Sequence, residues 1–399
     1  MVYAAIIPRL PDIRDRLDVS VAALGTILTL SAIGGLLGSA VAGPMISRFG
    51  TRRCIIVGTF ITVGLLPLIG VTRSPVVLVL VMGAVWALDV TIDIAMNLQG
   101  SWLSARRPIP IMNRLHGLWS LGTVIGGLIA VQAAGAGVSL LSHLLIVAIV
   151  LGVVVAVLGR SLLPGKLEEP TAATSVDDGL TSPSATETAS NGAGRIGLLL
   201  MALGAAAVTM EITTSDWAAF RLADDLGAGP GLVGLGFVAF TSGMVVGRMS
   251  GDAIQTRIGE HALIRSTAGL AIVGLTLATL VPFGRLFGVD PAAPVALGAT
   301  VVGYFIAALG ASVVFPQLYD AAAKAPGRPG AGLAALTAGT RVAGVLAPII
   351  VGVLADTALS VGAAVALLTI PASAVILFAG TRAESGDRPA VASSHGTSG

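Results

Sequence analysis

The chain has 399 residues, of which 55% are hydrophobic and only 11% charged, and its mean hydropathy is +0.93. Soluble domains carry about 25% charged residues, so this composition excludes a soluble globular protein. The formal net charge of +2 says little about partners, and one cysteine and four scattered histidines exclude an intrachain disulfide and predict no metal site. The 52 glycines, often in GxxxG spacing, are typical of closely packed membrane helices.

Eleven apolar segments are long enough to cross a bilayer, which needs roughly 20 helical residues. The sequence predicts spans at about 20–42, 54–71, 75–97, 113–134, 138–159, 195–214, 230–250, 262–281, 293–316, 331–355 and 359–380. The apolar stretch before them, "MVYAAIIP", is too short to cross. The predicted fold class is therefore an all-α membrane protein with eleven full transmembrane helices and an N-terminal stub.

The sequence has two hydrophilic segments, one between the fifth and sixth spans and one after the last span. Residues 162–194 contain no aromatic residue and are rich in Ser, Thr, Ala, Pro and acids, so we expect them to be a disordered linker. The tail at 382–399 has the same character. The predicted domains are an N-terminal bundle at 1–161 and a C-terminal bundle at 195–381.

The basic residues set the expected orientation. With the linker in the cytoplasm, most of the 23 basic residues fall on the cytoplasmic side, as the positive-inside rule requires. Arg341 lies within a span, and the basic residues expected outside are Arg9, Arg14, Arg16, Arg73, Arg221 and Arg285. No cleavable signal peptide is evident.

A short motif repeats in the two halves. The stretch "GPMISRFGTRR" follows the first full span, and roughly 209 residues later "GDAIQTRIGEHALIR" follows another glycine-rich helix with the same Arg-x-Gly spacing. Such a parallel repeat on both sides of a linker favours a two-bundle secondary transporter. The residues of the first copy that we expect to form a gating loop are Gly43, Arg48, Gly50, Arg52 and Arg53.

The first copy resembles the loop motif of the major facilitator superfamily, and the chain fits that family's six-plus-six plan. Three further stretches resemble the fucose-permease-like branch of uncharacterised bacterial inner-membrane members: "DIAMNLQG…IMNRLHGLWSLG", "EITTSDWAAFRL" and "GASVVFPQLYDAAAKAPG…APIIVGVLA". The resemblance implies alternating access between two bundles and a small polar solute such as a sugar. Ser47 stands where the family's loop motif usually has an acid.

The family's first helix has no counterpart, because "PRLPDIRDRLDVS" resembles the segment that follows it. Two explanations stay open: the start codon was assigned too late, or the protein has eleven spans and a gap beside its cavity.

The third span carries two acids. On a helix, Trp86, Asp89, Asp93 and Asn97 fall on a stripe about 80° wide. An ionised carboxylate in hydrocarbon costs a few kcal/mol, so this stripe must face water or a partner. The pattern predicts that these four residues line a cavity.

The fourth span supplies a partner for Asp93. Asn113, His116, Ser120 and Thr123 share one helix face, and His116 lies at a depth similar to that of Asp93. Because histidine exchanges a proton near neutral pH, we expect an Asp93–His116 contact that couples transport to protons or gates it. The alternative is that His116 only braces the hairpin between the two spans.

The second half has its own polar residues. Glu211 and Asp216 share a face only if the helix unwinds at the hydroxyl-rich 213–215, and broken helices are where transporters bind ligands. The alternative for Asp216 is that it caps a short external helix starting at Trp217. Arg341 needs an acid or a bound anion, and Asp89, Asp93 and Glu211 are the available acids.

Several functions are excluded or disfavoured. No phosphate-binding GxxxxGK[ST], GxSxG or HExxH occurs, so we expect no enzyme activity and no cofactor. "SLGTVIGG" lacks the proline of the drug-antiporter signature. We expect a monomeric, proton-coupled secondary transporter of a small polar solute in the cell membrane, with no nucleic-acid partner. A non-transporting sensor or scaffold and a drug or metabolite exporter remain alternatives.

Overall fold

The computed structural model describes residues 2–106, 112–164, 191–280, 293–323, 325, 331–357 and 359–380. Within these ranges eleven helices are long and apolar enough to cross a membrane, which confirms the predicted spans. Most of the predicted linker (165–190) and all of the predicted tail lie outside the described residues. The helices of the first half are α1 (Val2–Ile6), α2 (Leu10–Leu17), α3 (Val21–Phe49), α4 (Thr51–Val71), α5 (Pro75–Ala105), α6 (Met112–Gly135) and α7 (Leu140–Leu158).

The second half begins at Asn191 and contains two π-helical turns that flank α9. Its helices are α8 (Asn191–Val208), α9 (Thr214–Phe220), α10 (Pro230–Val233), α11 (Leu235–Ile258), α12 (Glu260–Leu280), α13 (Ala293–Ala311), α14 (Val314–Ala323), α15 (Ala331–Ala355) and α16 (Val361–Ala379). We call the end of the bundle that carries the ends of the linker the inner end, and the opposite end the outer end.

The glycine ladders bring equivalent helices together in both halves. In α3, Gly34 packs on the backbone of Gly83, so that α3 and α5 are in backbone contact. At the equivalent place in the second half, Gly243 of α11 packs on the Phe305 carbonyl of α13. A side chain at either glycine would separate the helices, which explains the small-residue spacing in the sequence.

The predicted loop at 43–53 is corrected by the structure. α3 continues through Phe49, and only Gly50 separates it from α4. Gly50 has φ 80° and Gly259, which joins α11 to α12, has φ 81°. Both corners also use the same backbone hydrogen bonds, from Gly50 to Ile46 and from Gly259 to Gln255. The sequence repeat is thus a repeated single-glycine corner, because polar residues extend each helix beyond its apolar span.

The two halves make close contacts at the outer end. Gly25 of α3 packs on the Pro348 carbonyl of α15, and Gly352 packs on the backbone of α3 one turn further out. Thr29 Oγ1 accepts a hydrogen bond of 3.1 Å from the Ile349 amide. The described residues therefore form a bundle whose halves are closed against each other on the outer side.

The N-terminal segment is a buried part of this closure. α1 and the 3₁₀ turn Ile7–Arg9 pack on α6 and on α9 of the opposite half. Ile6, Leu10 and Ile13 are fully buried. The segment is too short to cross the membrane, as predicted, yet it fills the space between the two halves.

Candidate functional site

The acidic stripe of α5 begins at Trp86, which contacts the N-terminal segment between the two halves. Asp89 and Asp93 are exposed, and Trp86 and Asn97 are partly buried. The Trp86 ring lies 5.8 Å from the Tyr3 ring, which in turn lies 5.9 Å from Phe237 of α11. Because the stripe is only about 80° wide, the side that carries the acids points in the same general direction as Trp86.

Tyr3 links Trp86 to Asp216, although sequence reasoning did not identify it. Its hydroxyl donates a hydrogen bond to Asp216 Oδ1 and lies 3.2 Å from Ser215 Oγ. The contact spans more than half the chain, and it forms because α1 lies between the halves. Nothing in the sequence around "MVYAAIIP" marks this tyrosine as a partner of an acid.

The alternative that Asp216 caps an external helix is wrong. One helical span runs without interruption from Gly194 to Asp225, eleven residues beyond the predicted end. Asp216 therefore lies within a helix. Arg221, expected outside, is fully buried in the same span and pairs with Asp225 at 2.8 Å.

The prediction that the helix unwinds between Glu211 and Asp216 is also wrong. The helix widens into a π turn at Thr209–Thr213 instead of breaking. Thr214 Oγ1 donates to the Met210 carbonyl at 2.6 Å, and Ser215 Oγ donates to the Ile212 carbonyl at 3.1 Å. The hydroxyls thus bond back to the helix, and the wider turn reduces the angle between residues five apart.

Glu211 has a partner that sequence reasoning missed. Arg248 Nη2 lies 3.2 Å from Glu211 Oε1, with 36% of the arginine side chain and 25% of the glutamate side chain exposed. The predicted span ended near Arg248, but α11 continues to Ile258, so Arg248 lies well inside the helix. Arg248 therefore lies within the span Pro230–Gly251, three residues from the inner end of that span.

Arg341 lies near the middle of α15 and is partly buried. Within the described ranges it forms no ion pair, and of the three acids considered for it, Glu211 pairs with Arg248. Of the two partners that the sequence left open for Arg341, an acid of the protein or a bound anion, the described residues therefore do not supply the first.

The predicted Asp93–His116 contact lies outside what is described, because the His116 side chain is not among the described residues. Its backbone lies in the first turns of α6. Ser120, one turn further, is buried with 8% exposure. Asn97 Nδ2 donates to the Asp93 carbonyl at 3.0 Å, which holds the amide against the acid's own helix.

The predicted gating residues lie around the first corner at the inner end. Gly43 and Arg53 are exposed, and Arg48 lies 5.4 Å from the Phe49 ring. Arg52 Nη2 donates to the Arg160 carbonyl at 3.2 Å, which ties the corner to the end of α7. The described part of the chain contains no group of three His, Cys, Asp or Glu that could hold a metal ion.

Known proteins resemble the chain over most of its length. A family profile described as Major Facilitator Superfamily matches residues 1–348. An uncharacterized MFS-type transporter of Yersinia pestis is 26% identical, covering 93% of this chain and 91% of the relative. An uncharacterized transporter of Sinorhizobium fredii is 25% identical, covering 88% of this chain and 86% of the relative. The membrane protein MosC of Rhizobium meliloti is 28% identical, covering 72% of this chain and 67% of the relative.

A solved structure has the same fold. The nucleoside transporter NupG superposes with a TM-score of 0.67, covering 97% of this chain and 96% of its own, at 14% identity.

Proposed function

Because the chain belongs to the Major Facilitator Superfamily, we propose that this multi-pass membrane transporter is a proton-coupled monomer that moves a small polar solute. The two halves would rock about a central pathway so that each side of the membrane has access in turn. The polar residues of both halves support a polar solute, and so does the shared fold with a transporter of nucleosides.

The proposal of proton coupling rests on one observation. Asp89 and Asp93 are exposed within a membrane-spanning helix, on a stripe whose Trp86 contacts the element between the halves. A charged carboxylate at that depth is costly unless it meets water, a partner or a proton. We propose that Asp93 exchanges the coupled proton, with His116 as its neighbour, and that Asp89, Glu211 and Asp216 line the same pathway.

The test uses the full chain reconstituted in liposomes with a pH dye inside. A panel of sugars, polyols and nucleosides, together with their carboxylated and phosphorylated derivatives, is screened for solute-dependent proton flux. For the solute found, Asp93→Asn should abolish acid-driven uptake while leaving solute exchange intact. The matched control is Asp356→Asn, because Asp356 is exposed at the outer end of α15.

The outcomes separate the remaining alternatives. Acid-driven uptake that persists in Asp93→Asn contradicts the proton assignment. Absence of flux with every solute favours a non-transporting sensor. Flux only out of the compartment that corresponds to the cytoplasm favours an exporter.

A further inference from the structure

Arg341 is an intramembrane charge, and several acids of its own half are engaged elsewhere. In the second half, Glu211 pairs with Arg248, and Asp216 accepts hydrogen bonds from Tyr3 and Ser215. Further out, Asp224 pairs with Arg14 and Asp225 with Arg221. No ion pair joins Arg341 to another described side chain, although a lone cation at this depth is costly without a partner.

The side chain points towards the first half. Pro348 and Gly352 lie seven and eleven residues after Arg341, so all three share one face of α15 to within about 20°. Pro348 and Gly352 are the residues that contact Gly25 of α3. Arg341 therefore lies on the face that meets the other half, roughly 10 Å further in than the closed contact.

Arg341 lies further in than Glu211. Gly339 of α15 packs on Met201 of α8, and Gly344 packs near Val208, so Arg341 lies roughly 9 Å, between one and two helical turns, inward of Glu211. Arg248 and Glu211 neutralise each other, which leaves Arg341 without an ion-pair partner among the described side chains. A diffusible anion would supply that partner without any change in the protein.

We propose that Arg341 is an anion-binding residue of the solute pathway, so that the transported solute carries a carboxylate or a phosphoryl group. A guanidinium suits both groups, because its planar fork donates two parallel hydrogen bonds to their oxygens. This proposal rests on the proposed transport function and narrows its solute class. Solute entering from the inner side would meet Arg341 before it reaches the Glu211–Arg248 pair.

The experiment measures charge selectivity at a cysteine one turn from Arg341. Cys54 is the single native cysteine and is buried, so Cys54→Ala gives a thiol-free background. Thr337→Cys then places a thiol about 6 Å further in on the same face, at a partly buried position. The probes are the anionic sulfonatoethyl and the cationic trimethylammonioethyl methanethiosulfonates, with rates normalised to those with mercaptoethanol.

With Arg341 present, the anionic reagent should react faster by on the order of tenfold, as expected for one unit charge at this distance in a partly hydrated site. Arg341→Gln should remove the preference and Arg341→Lys should keep it. Arg265→Gln is the control for net charge, because Arg265 is exposed on α12. A preference for the cation, or one that survives in Arg341→Gln, overturns the proposal.

Competition at constant ionic strength distinguishes the two anion classes. Slowing of the anionic reagent by acetate assigns carboxylates, and slowing by inorganic phosphate assigns phosphoryl groups. Absence of competition by both overturns the anion site. Labelling does not require transport. If the protein with Arg341 shows no preference for the anionic reagent but still transports solute, only the anion site is rejected. An intact preference without flux rejects the transport function.

Discussion

Gly362 shows how one residue position depends on a buried charge. Arg221 is fully buried, pairs with Asp225 at 2.8 Å and donates from Nε to the Ala278 carbonyl at 3.3 Å. Asp225 accepts hydrogen bonds from the Val361 amide at 3.2 Å and the Gly362 amide at 2.7 Å, where α16 begins. The arginine thus joins α12 and α16 through its acid, and it lies directly over Gly362.

Gly362→Ala should destabilise the protein by about 1–3 kcal/mol, the usual effect of forcing extra volume into a packed core. The added Cβ would lie 2.7 Å from both Cδ and Nε of Arg221, which cannot move without breaking its ion pair. Thermal unfolding of the purified protein in detergent measures the change. Gly298→Ala is the control, because a Cβ there meets nothing within 4 Å, and it should not lower the melting temperature.

At the same scale, sequence reasoning identified acids but not their partners. Asp216 and Glu211 were singled out because a carboxylate in an apolar run is conspicuous. Tyr3 and Arg248 were missed, because an aromatic residue near the N-terminus and an arginine near a predicted span end are both ordinary features. Their role comes from tertiary contacts over 213 and 37 residues, which no local pattern records.

At the scale of elements, the two glycine corners are the clearest repeated device. Gly50 has φ 80° and ψ 153°, and Gly259 has φ 81° and ψ 163°. This region of backbone conformation is essentially restricted to glycine. Each corner reverses the chain with a single residue, so the two helices that it joins begin and end at the inner surface.

Gly50→Ala and Gly259→Ala should each lower stability by about 1–3 kcal/mol, because alanine is strained at these angles. The similar effect at both positions is the specific expectation, since the halves share the corner. Gly43→Ala should instead be neutral or stabilising, as Gly43 lies in the interior of α3 with open space around it. The melting temperatures of the three variants, measured in one detergent, test these expectations. A lower melting temperature in only one of the two corner variants contradicts the structural equivalence of the corners.

The sequence predicted which elements exist better than how they end. Length and hydropathy found all eleven spans because the bilayer imposes both. The π turn at Thr209–Thr213 was not predicted, since hydroxyl-rich residues equally favour unwinding, a cap or back-bonding to the helix. The extension of α8–α9 to Asp225 escaped prediction because Arg221 is charged, and its burial depends on the acid one turn later.

For the whole molecule, the repeat and the linker predicted two halves, and only the structure gives their relation. The halves meet at the outer end through Gly25 and Pro348, through Thr29 and Ile349, and through the buried N-terminal segment. These contacts need backbone to approach backbone, so a side chain at Gly25 cannot be accommodated while the halves stay closed.

Gly25→Leu should therefore hold the outer side open, with transport lost and each half still folded. In the Cys54→Ala background, Thr29→Cys reports the opening, because Thr29 is 9% exposed at the closed contact. The cationic methanethiosulfonate added outside sealed vesicles should modify this cysteine at least tenfold faster when Gly25→Leu is present. Gly64→Leu is the matched control, since Gly64 is exposed with nothing within 4 Å of an added Cβ. Equal rates in the two variants would contradict the prediction, because they would show that the contact between α3 and α15 stays closed despite the added side chain.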